Sequence, residues 1–255
     1  MHSIAQMLDP AAWGALLTRG WTELGETGFW LAVVKIIWIN ILLSGDNAVV
    51  IAMACRGLPP RQRLWGMVLG AGVAVVLRIV FTGVVASLML LPYLKIIGGL
   101  ALFYIAAKLL VPDDPQHDGA EAAAYLWRAV YIVAVADIIM SLDNVIAIAA
   151  AAEGNMALLV LGLAISIPLI VAGAALIMAL LDRFPILIWA GAALLGWIVG
   201  EVMSTDAATA GYLTRSFGAA FAHDVVYVAS ATGAVLVLII GGLWRRAKAP
   251  KPSEV

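Results

Sequence analysis

The chain has 255 residues, 64% of them hydrophobic and 12% charged, with a mean hydropathy of +1.04. Soluble domains average about 45–50% apolar and about 25% charged residues, so this composition excludes an ordinary water-exposed domain. A net charge of −1, with its basic residues scattered through short loops, offers nucleic acid no surface, and a single cysteine, Cys55, excludes an internal disulfide.

Residues 1–27 are too polar to cross a bilayer. Asp9-Pro10 is a helix start, with Asp as N-cap and Pro at the first helical position. Trp13, Leu16, Leu17, Trp21 and Leu24 follow at helical spacing, so an N-terminal helix lying in the membrane interface is expected. No basic segment followed by an apolar core and a cleavage site is seen, so no removable signal peptide is expected.

Seven apolar runs come next, at about 29–55, 64–90, 94–111, 125–152, 156–181, 185–203 and 226–244. Each approaches or exceeds the roughly 20 residues that a helical span needs. The first and fourth are long enough to tilt or to break in the middle. The segment 112–124 (Pro112 to Ala124) is the clear polar linker, and residues 245–255 form a basic tail. The expected order is an interfacial helix (1–27), three spans (28–111), the linker (112–124), three more spans (125–203), a loop with a seventh span (204–244), and the tail (245–255).

With seven spans, one face of the membrane receives ten Lys and Arg residues, among them Arg56, Arg61, Arg63, Lys108, Arg128 and Arg183. The other receives Arg19 and Arg215. The positive-inside rule then puts the N-terminus outside and the C-terminus in the cytoplasm.

Two stretches repeat. Ile41-Leu-Leu-Ser44-Gly-Asp46-Asn47-Ala48 returns 97 residues later as Ile138-Ile-Met-Ser141-Leu-Asp143-Asn144-Val145, and Asn40 falls on Asp137. Further on the offset is 93, which brings Pro92 onto Pro185 and Gly98 onto Gly191. Three spans per unit would make the second copy enter the membrane from the opposite side. Such inverted repeats place ion or substrate sites near the midplane where the copies meet. The fold expected is therefore an all-α membrane protein of seven transmembrane helices, two inverted three-helix repeats plus a seventh helix.

Intramembrane acids are costly and mark functional sites by default, an Asp at a helix centre costing roughly 2.5–3.5 kcal/mol on insertion scales. On an ideal helix Asn40, Ser44 and Asn47 share a face, as do Asp137, Ser141 and Asn144. Asp46 and Asp143 sit about 100° off those stripes. An unwinding at Ser44-Gly45 would let them converge and would free backbone carbonyls as additional oxygen ligands. The set of carboxylates (Asp46, Asp137, Asp143), amides (Asn40, Asn47, Asn144) and hydroxyls (Ser44, Ser141) is oxygen-only. It suits Mn²⁺, Mg²⁺ or Ca²⁺ rather than Zn²⁺ or Cu⁺. Polar glue between helices is the competing role for the Asn and Ser residues.

Other charges have less definite roles. Arg78, central in the second span, needs an acid partner, either as a structural ion pair or in gating. Lys35 is placed to snorkel, Lys95 to sit at the interface, Lys108 in solvent, and His223-Asp224 in a loop. Glu201 and Asp206 close the sixth span, either as end groups or along an ion path. No enzyme constellation, phosphate-binding glycine loop or cofactor motif is present.

Asn40-Ile-Leu-Leu-Ser-Gly-Asp46-Asn47-Ala-Val-Val-Ile-Ala-Met-Ala with Leu58-Pro59, and Asp137-Ile-Ile-Met-Ser141-Leu-Asp143-Asn144-Val-Ile-Ala-Ile, resemble the two signatures of the TerC family of integral membrane proteins. The start Leu8-Asp9-Pro10-Ala-Ala-Trp13 is similar too, and the resemblance covers about residues 8–244. It implies a multi-pass protein of the bacterial inner membrane that moves Mn²⁺ out of the cytoplasm, with Asp46, Asn47, Asp137, Asp143 and Asn144 at the metal. Some family members are linked instead to metal loading of exported proteins or to tellurite resistance. A non-transporting membrane partner therefore stays open as the alternative, as does assembly into a homo-oligomer or a larger membrane complex.

Overall fold

The computed structural model describes residues 27–88, 91–111, 120–152 and 155–248. The expected interfacial helix over 1–27, most of the linker 112–124 and the end of the tail lie outside the described residues. Among those described, all regular structure is α-helix. In chain order the helices are α1 (Thr27–Leu43), α2 (Gly45–Cys55), α3 (Pro60–Leu88), α4 (Leu94–Leu109), α5 (Ala120–Ala151), α6 (Met156–Arg183), α7 (Ile186–Ser204), α8 (Ala207–Phe217) and α9 (Ala219–Lys248).

Five of these helices are long and apolar enough to cross a membrane, six if α1 and α2 count as one bent span. The run at 94–111 forms a helix of 16 residues, α4, about 24 Å long at 1.5 Å per residue. That is shorter than the roughly 30 Å hydrocarbon core. Two further boundaries differ from expectation. Residues 207–217, expected in a loop, form α8, capped by Asp206 and ended by Gly218 at a φ of 89°. The last helix begins at Ala219 rather than at 226, so His223 and Asp224 are helical.

The helices start where the sequence supplies the chemistry. Pro60 opens α3, where its missing N–H costs nothing. Asn155 caps α6, its side chain accepting from the Leu158 N–H at 3.1 Å. Exposed positions on the bundle carry large apolar side chains, such as Trp38, Trp65, Trp127 and Tyr131, while a buried core of Val50, Ile51, Ala52, Leu102, Ala106 and Leu195 holds the bundle centre.

The bent pair α1–α2 packs on α6, as α5 packs on α3; α2 meets α7, as α4 meets α5. The pairs α2–α5, α3–α6 and α4–α7 bring corresponding spans together. Exchanging the first three apolar runs for the second three leaves these pairings unchanged. Outside both sets, α9 lies along α7 and also touches α4. Small residues permit its close approach. A Cβ added at Gly196 would sit 2.6 Å from the Gly233 carbonyl oxygen, and one at Gly200 would sit 2.1 Å from that of Ala229.

Loops and helix ends expected on one face of the membrane are also neighbours in space. Arg63, opening α3, donates to Asp182 at the end of α6 at 2.7 Å. Arg56 after α2, Lys108 in the last turn of α4 and Arg128 in α5 line one cavity. At the opposite ends, Asp206 is a fully buried clamp. It caps α8 through the Ala208 N–H (2.9 Å) and caps α4 through the N–H groups of Tyr93 (3.0 Å) and Lys95 (3.1 Å). Tyr93 takes up a left-handed backbone, φ 69°, to bring this about. Burial raises the Asp206 pKa, but the backbone N–H groups of Tyr93, Ala208, Lys95 and Ile96 outweigh it and hold the carboxyl below the ordinary Asp value. Asp206 is thus a double helix cap. Glu201, one turn before it, is exposed.

Candidate functional site

The two polar stripes meet. Asn40 and Ser44 lie one turn apart and share a face, the Ser44 hydroxyl donating to Asn40 Oδ1 at 3.3 Å. Opposite them on α5 are Asp137 and Ser141. Between the two stripes lies the guanidinium of Arg78 from α3, 2% exposed. Its Nη1 donates to Asn40 Oδ1 and, at 3.3 Å, to Ser44 Oγ. Its Nη2 donates to Asp137 Oδ1 at 2.5 Å and to Ser141 Oγ at 3.2 Å. One arm of the planar fork thus serves the first motif and the other serves the second. Buried charges are tolerated when paired and hydrogen-bonded, and four acceptors, one of them the Asp137 carboxylate, serve that requirement here.

The first span breaks at this place. α1 and α2 meet at an angle of 58°, with Ser44 between them at φ −114°, ψ 7°. In a continuous helix the Asn47 N–H would bond to the Leu43 carbonyl. Here it meets Asp46 Oδ1 at 3.1 Å, and Leu43 O accepts instead from the Asn144 side chain of the second motif at 3.2 Å. The freed carbonyl was expected as a further oxygen ligand; it is taken up by a cross-motif hydrogen bond. Breaks of this kind at membrane depth persist where the freed backbone groups are satisfied within protein. The second motif differs. α5 runs unbroken from Ala120 to Ala151, straight through Ser141 and Asn144.

Beside Arg78 is a cavity of about 10 Å³, close to the space one water needs. Asn47, Arg78, Asp137, Val75, Ala136 and Ile170 are among its walls. Three of these residues carry a buried polar atom without a hydrogen-bond partner: Asn47 Nδ2, Arg78 Nε and Asp137 Oδ2. The residues bordering this small, otherwise apolar chamber thus hold two donors and one acceptor without partners.

Comparison with known proteins fits these motifs. The model of the integral membrane protein TerC family matches residues 25–249. The chain belongs to the TerC family. Among relatives, this TerC-family chain is 41% identical to YjbE of Bacillus subtilis, described as an uncharacterized membrane protein, over 182 residues that cover 71% of the chain and 83% of the relative. It is 25% identical to the Bacillus subtilis membrane protein YceF over 72% of each chain. It is 24% identical to the UPF0053 inner membrane protein YoaE of Escherichia coli over 55% of the chain but 27% of that longer protein. No solved structure matches it.

In this TerC-family chain, seven of the eight expected site residues have described side chains. Asn40, Ser44, Asp137 and Ser141 are joined through Arg78, Asn47 borders the same cavity, and Asn144 reaches the break in the first span. Asp46 is half-buried at the first turn of α2. Asp143 lies in α5, and its side chain is outside the described residues. Among the described residues no three acids, histidines or cysteines come together.

Two residues carry more of the site than the sequence suggested. Arg78 finds in Asp137 the acid partner it was expected to need, and it also bonds Asn40, Ser44 and Ser141, which the sequence did not indicate. Ser166 of α6, fully buried, accepts from Asn40 Nδ2 at 2.5 Å and donates to the Leu163 carbonyl at 2.7 Å. It thereby fixes which way the Asn40 amide faces. No motif announces it; a lone Ser in an apolar run was the available signal. Among the other charges, Lys35 is exposed, whereas Lys95, expected at the interface, is buried at the start of α4.

Proposed function

We propose that this protein exports a divalent cation, Mn²⁺ foremost, from the cytoplasm by alternating access. Its site would be formed by Asp46, Asn47, Asp137, Asp143 and Asn144 with Asn40, Ser44 and Ser141. The observation that carries this reading is the meeting of the two repeated stretches, through Asn40 and Ser44 on one side and Asp137 and Ser141 on the other, around the buried charge of Arg78, beside the break between α1 and α2. Discontinuous helices that meet corresponding elements of a second repeat are the usual ion-binding frame of secondary transporters. The oxygen-only donor set favours a hard divalent ion.

The span count and the inverted repeat are part of this proposal. Seven spans follow if α1–α2 crosses once and α4, which packs on α5, α7 and α9 with one face and leaves Ile97, Leu100 and Tyr104 exposed on the other, crosses a locally thinned path. The exchange-invariant helix pairings and the paired motifs support the repeat. The proximity of Arg63 to Asp182, and of Arg56 to Lys108 and Arg128, supports one basic face. By the positive-inside rule that face is cytoplasmic, which puts the C-terminus inside.

The test is Mn²⁺ flux in proteoliposomes, wild type against Asp46→Asn and Asp143→Asn, substitutions that remove charge while keeping size. Flux in the wild type that disappears in both variants is the expected result. Undiminished flux in both would make the acids structural. A folded wild type that binds Mn²⁺ yet moves none would transfer the proposal to a membrane partner that loads metal onto exported proteins.

A further inference from the structure

We infer that Arg78 is a tethered cation, one that holds the ion site while the transported metal is absent and is displaced when it binds. This rests on the efflux reading and says how the site returns empty. The guanidinium stands where oxygen atoms of both motifs converge, bonded to Asn40 Oδ1, Ser44 Oγ, Asp137 Oδ1 and Ser141 Oγ. A divalent ion cannot coordinate those oxygens while the fork is in place. The donors are spoken for, and two positive centres a few ångströms apart in a poorly screened interior repel strongly.

One oxygen of Asp137 is uncommitted. Its Oδ2 is buried without a partner, and the residue lines the cavity beside Arg78. Arg78 keeps one N–H, at Nε, also without a partner. The fork is therefore not locked by a full set of bonds, and an ion engaging Oδ2 begins to compete for the same carboxylate. Binding exchanges a fixed charge for a mobile one.

The consequence lies in the transport cycle. An exporter that releases its ion outside must turn back with an empty site, and a bare carboxylate buried among helices opposes that step. Arg78 neutralises Asp137 on the return leg, with no second ion required there. Arginine suits the task because its planar fork reaches both halves at once; a lysine ammonium is a single point charge.

The experiment separates the two legs. Wild type, Arg78→Gln and Arg78→Lys are reconstituted and tested for net Mn²⁺ efflux into metal-free medium. They are also tested for exchange of labelled against unlabelled Mn²⁺ at equal concentrations on both sides. Exchange needs no empty return. In Arg78→Gln, net efflux is expected to fall by about a hundredfold or more, the rate equivalent of one uncompensated buried charge. Exchange is expected to persist, Arg78→Lys should retain part of the net flux, and Mn²⁺ should bind Arg78→Gln about tenfold or more tighter than wild type. Net efflux equal to wild type would overturn the inference, and so would loss of exchange and binding in folded Arg78→Gln, which makes the residue structural. A wild type that moves no Mn²⁺ in either mode defeats the efflux reading itself. The tethered cation then stands or falls on binding, and equal affinities in wild type and Arg78→Gln sink it.

Discussion

Asn144 donates its side-chain amide to the carbonyl of Leu43 at 3.2 Å, so the second motif caps the helix break of the first. The reciprocal bond is missing. Asn47, the equivalent of Asn144, has a buried Nδ2 without a partner, because α5 is unbroken and its carbonyls are committed to its own helix. Two matched motifs are thus held in unlike states, one broken and capped, the other continuous and uncapped.

The two asparagines should therefore respond oppositely to substitution. Asn144→Ala strips the Leu43 carbonyl of its partner, and a buried group left unsatisfied costs about 1–3 kcal/mol. Asn47→Leu removes an unpaired amide and should leave stability unchanged or raised. Thermal unfolding of the purified protein checks both. If the motifs trade states during transport, Asn47→Leu will also slow flux, because its amide then has no chance to cap Met140. Equal destabilisation by both changes would count against this asymmetry.

Asp206 is the place to look for pH dependence outside the spans. Its folded pKa lies below the unfolded value, so its contribution is fully present above the unfolded pKa and is lost as pH falls through the folded one. Stability carried by this group should be flat at neutral pH and decline only in acid. Asp206→Ala removes caps from α8 and α4 together, at about 0.5–2 kcal/mol for each. Its melting temperature should lie below that of wild type at pH 7, and the difference should narrow as the pH is lowered through the acid range.

The apolar run lengths, the paired motifs and the break at Ser44-Gly45 were legible in the sequence because each depends on neighbours within a turn or two. What stayed hidden depends on distant partners. Arg78 and Asp137 are 59 residues apart, and Asn40 and Ser166 are 126 apart. Periodicity names a polar face but not what stands across from it. The helix α8 was missed for another reason. Its signals, Asp206 before it and Gly218 after it, were present, but a search for spans passes over 11 amphipathic residues. The shortness of α4 likewise follows from where its caps fall, at Tyr93 and Leu110, inside a longer apolar run.

Glycine substitutions should divide by location. Gly200→Ala forces a Cβ against the backbone of Ala229 and Ser230, with the nearest atom at 2.1 Å. Since α9 must shift, the overpacking cost is about 1–3 kcal/mol. Gly72, within α3, has no atom within 4 Å of an added Cβ, and Gly72→Ala should stabilise by about 0.5–1 kcal/mol through helix propensity. Unfolding of the two variants under identical detergent conditions should shift in opposite directions.

The last expectation concerns the ion pair at the centre. Arg78 and Asp137 have side chains only 2% and 4% exposed, so neither charge can fall back on water when the other is removed. Breaking a buried pair from one side is costly, about 3–5 kcal/mol, because the survivor stays charged and uncompensated. Arg78→Met alone should therefore unfold at a much lower temperature than wild type. Adding Asp137→Asn should recover most of that loss, since a neutral amide in the same space needs no counter-charge. A double-mutant cycle measures the coupling directly. Strong coupling in the metal-free protein that shrinks when saturating Mn²⁺ is added would fit an ion taking over from the guanidinium. Coupling that is unaltered by Mn²⁺ would leave Arg78 and Asp137 as a permanent brace between the halves.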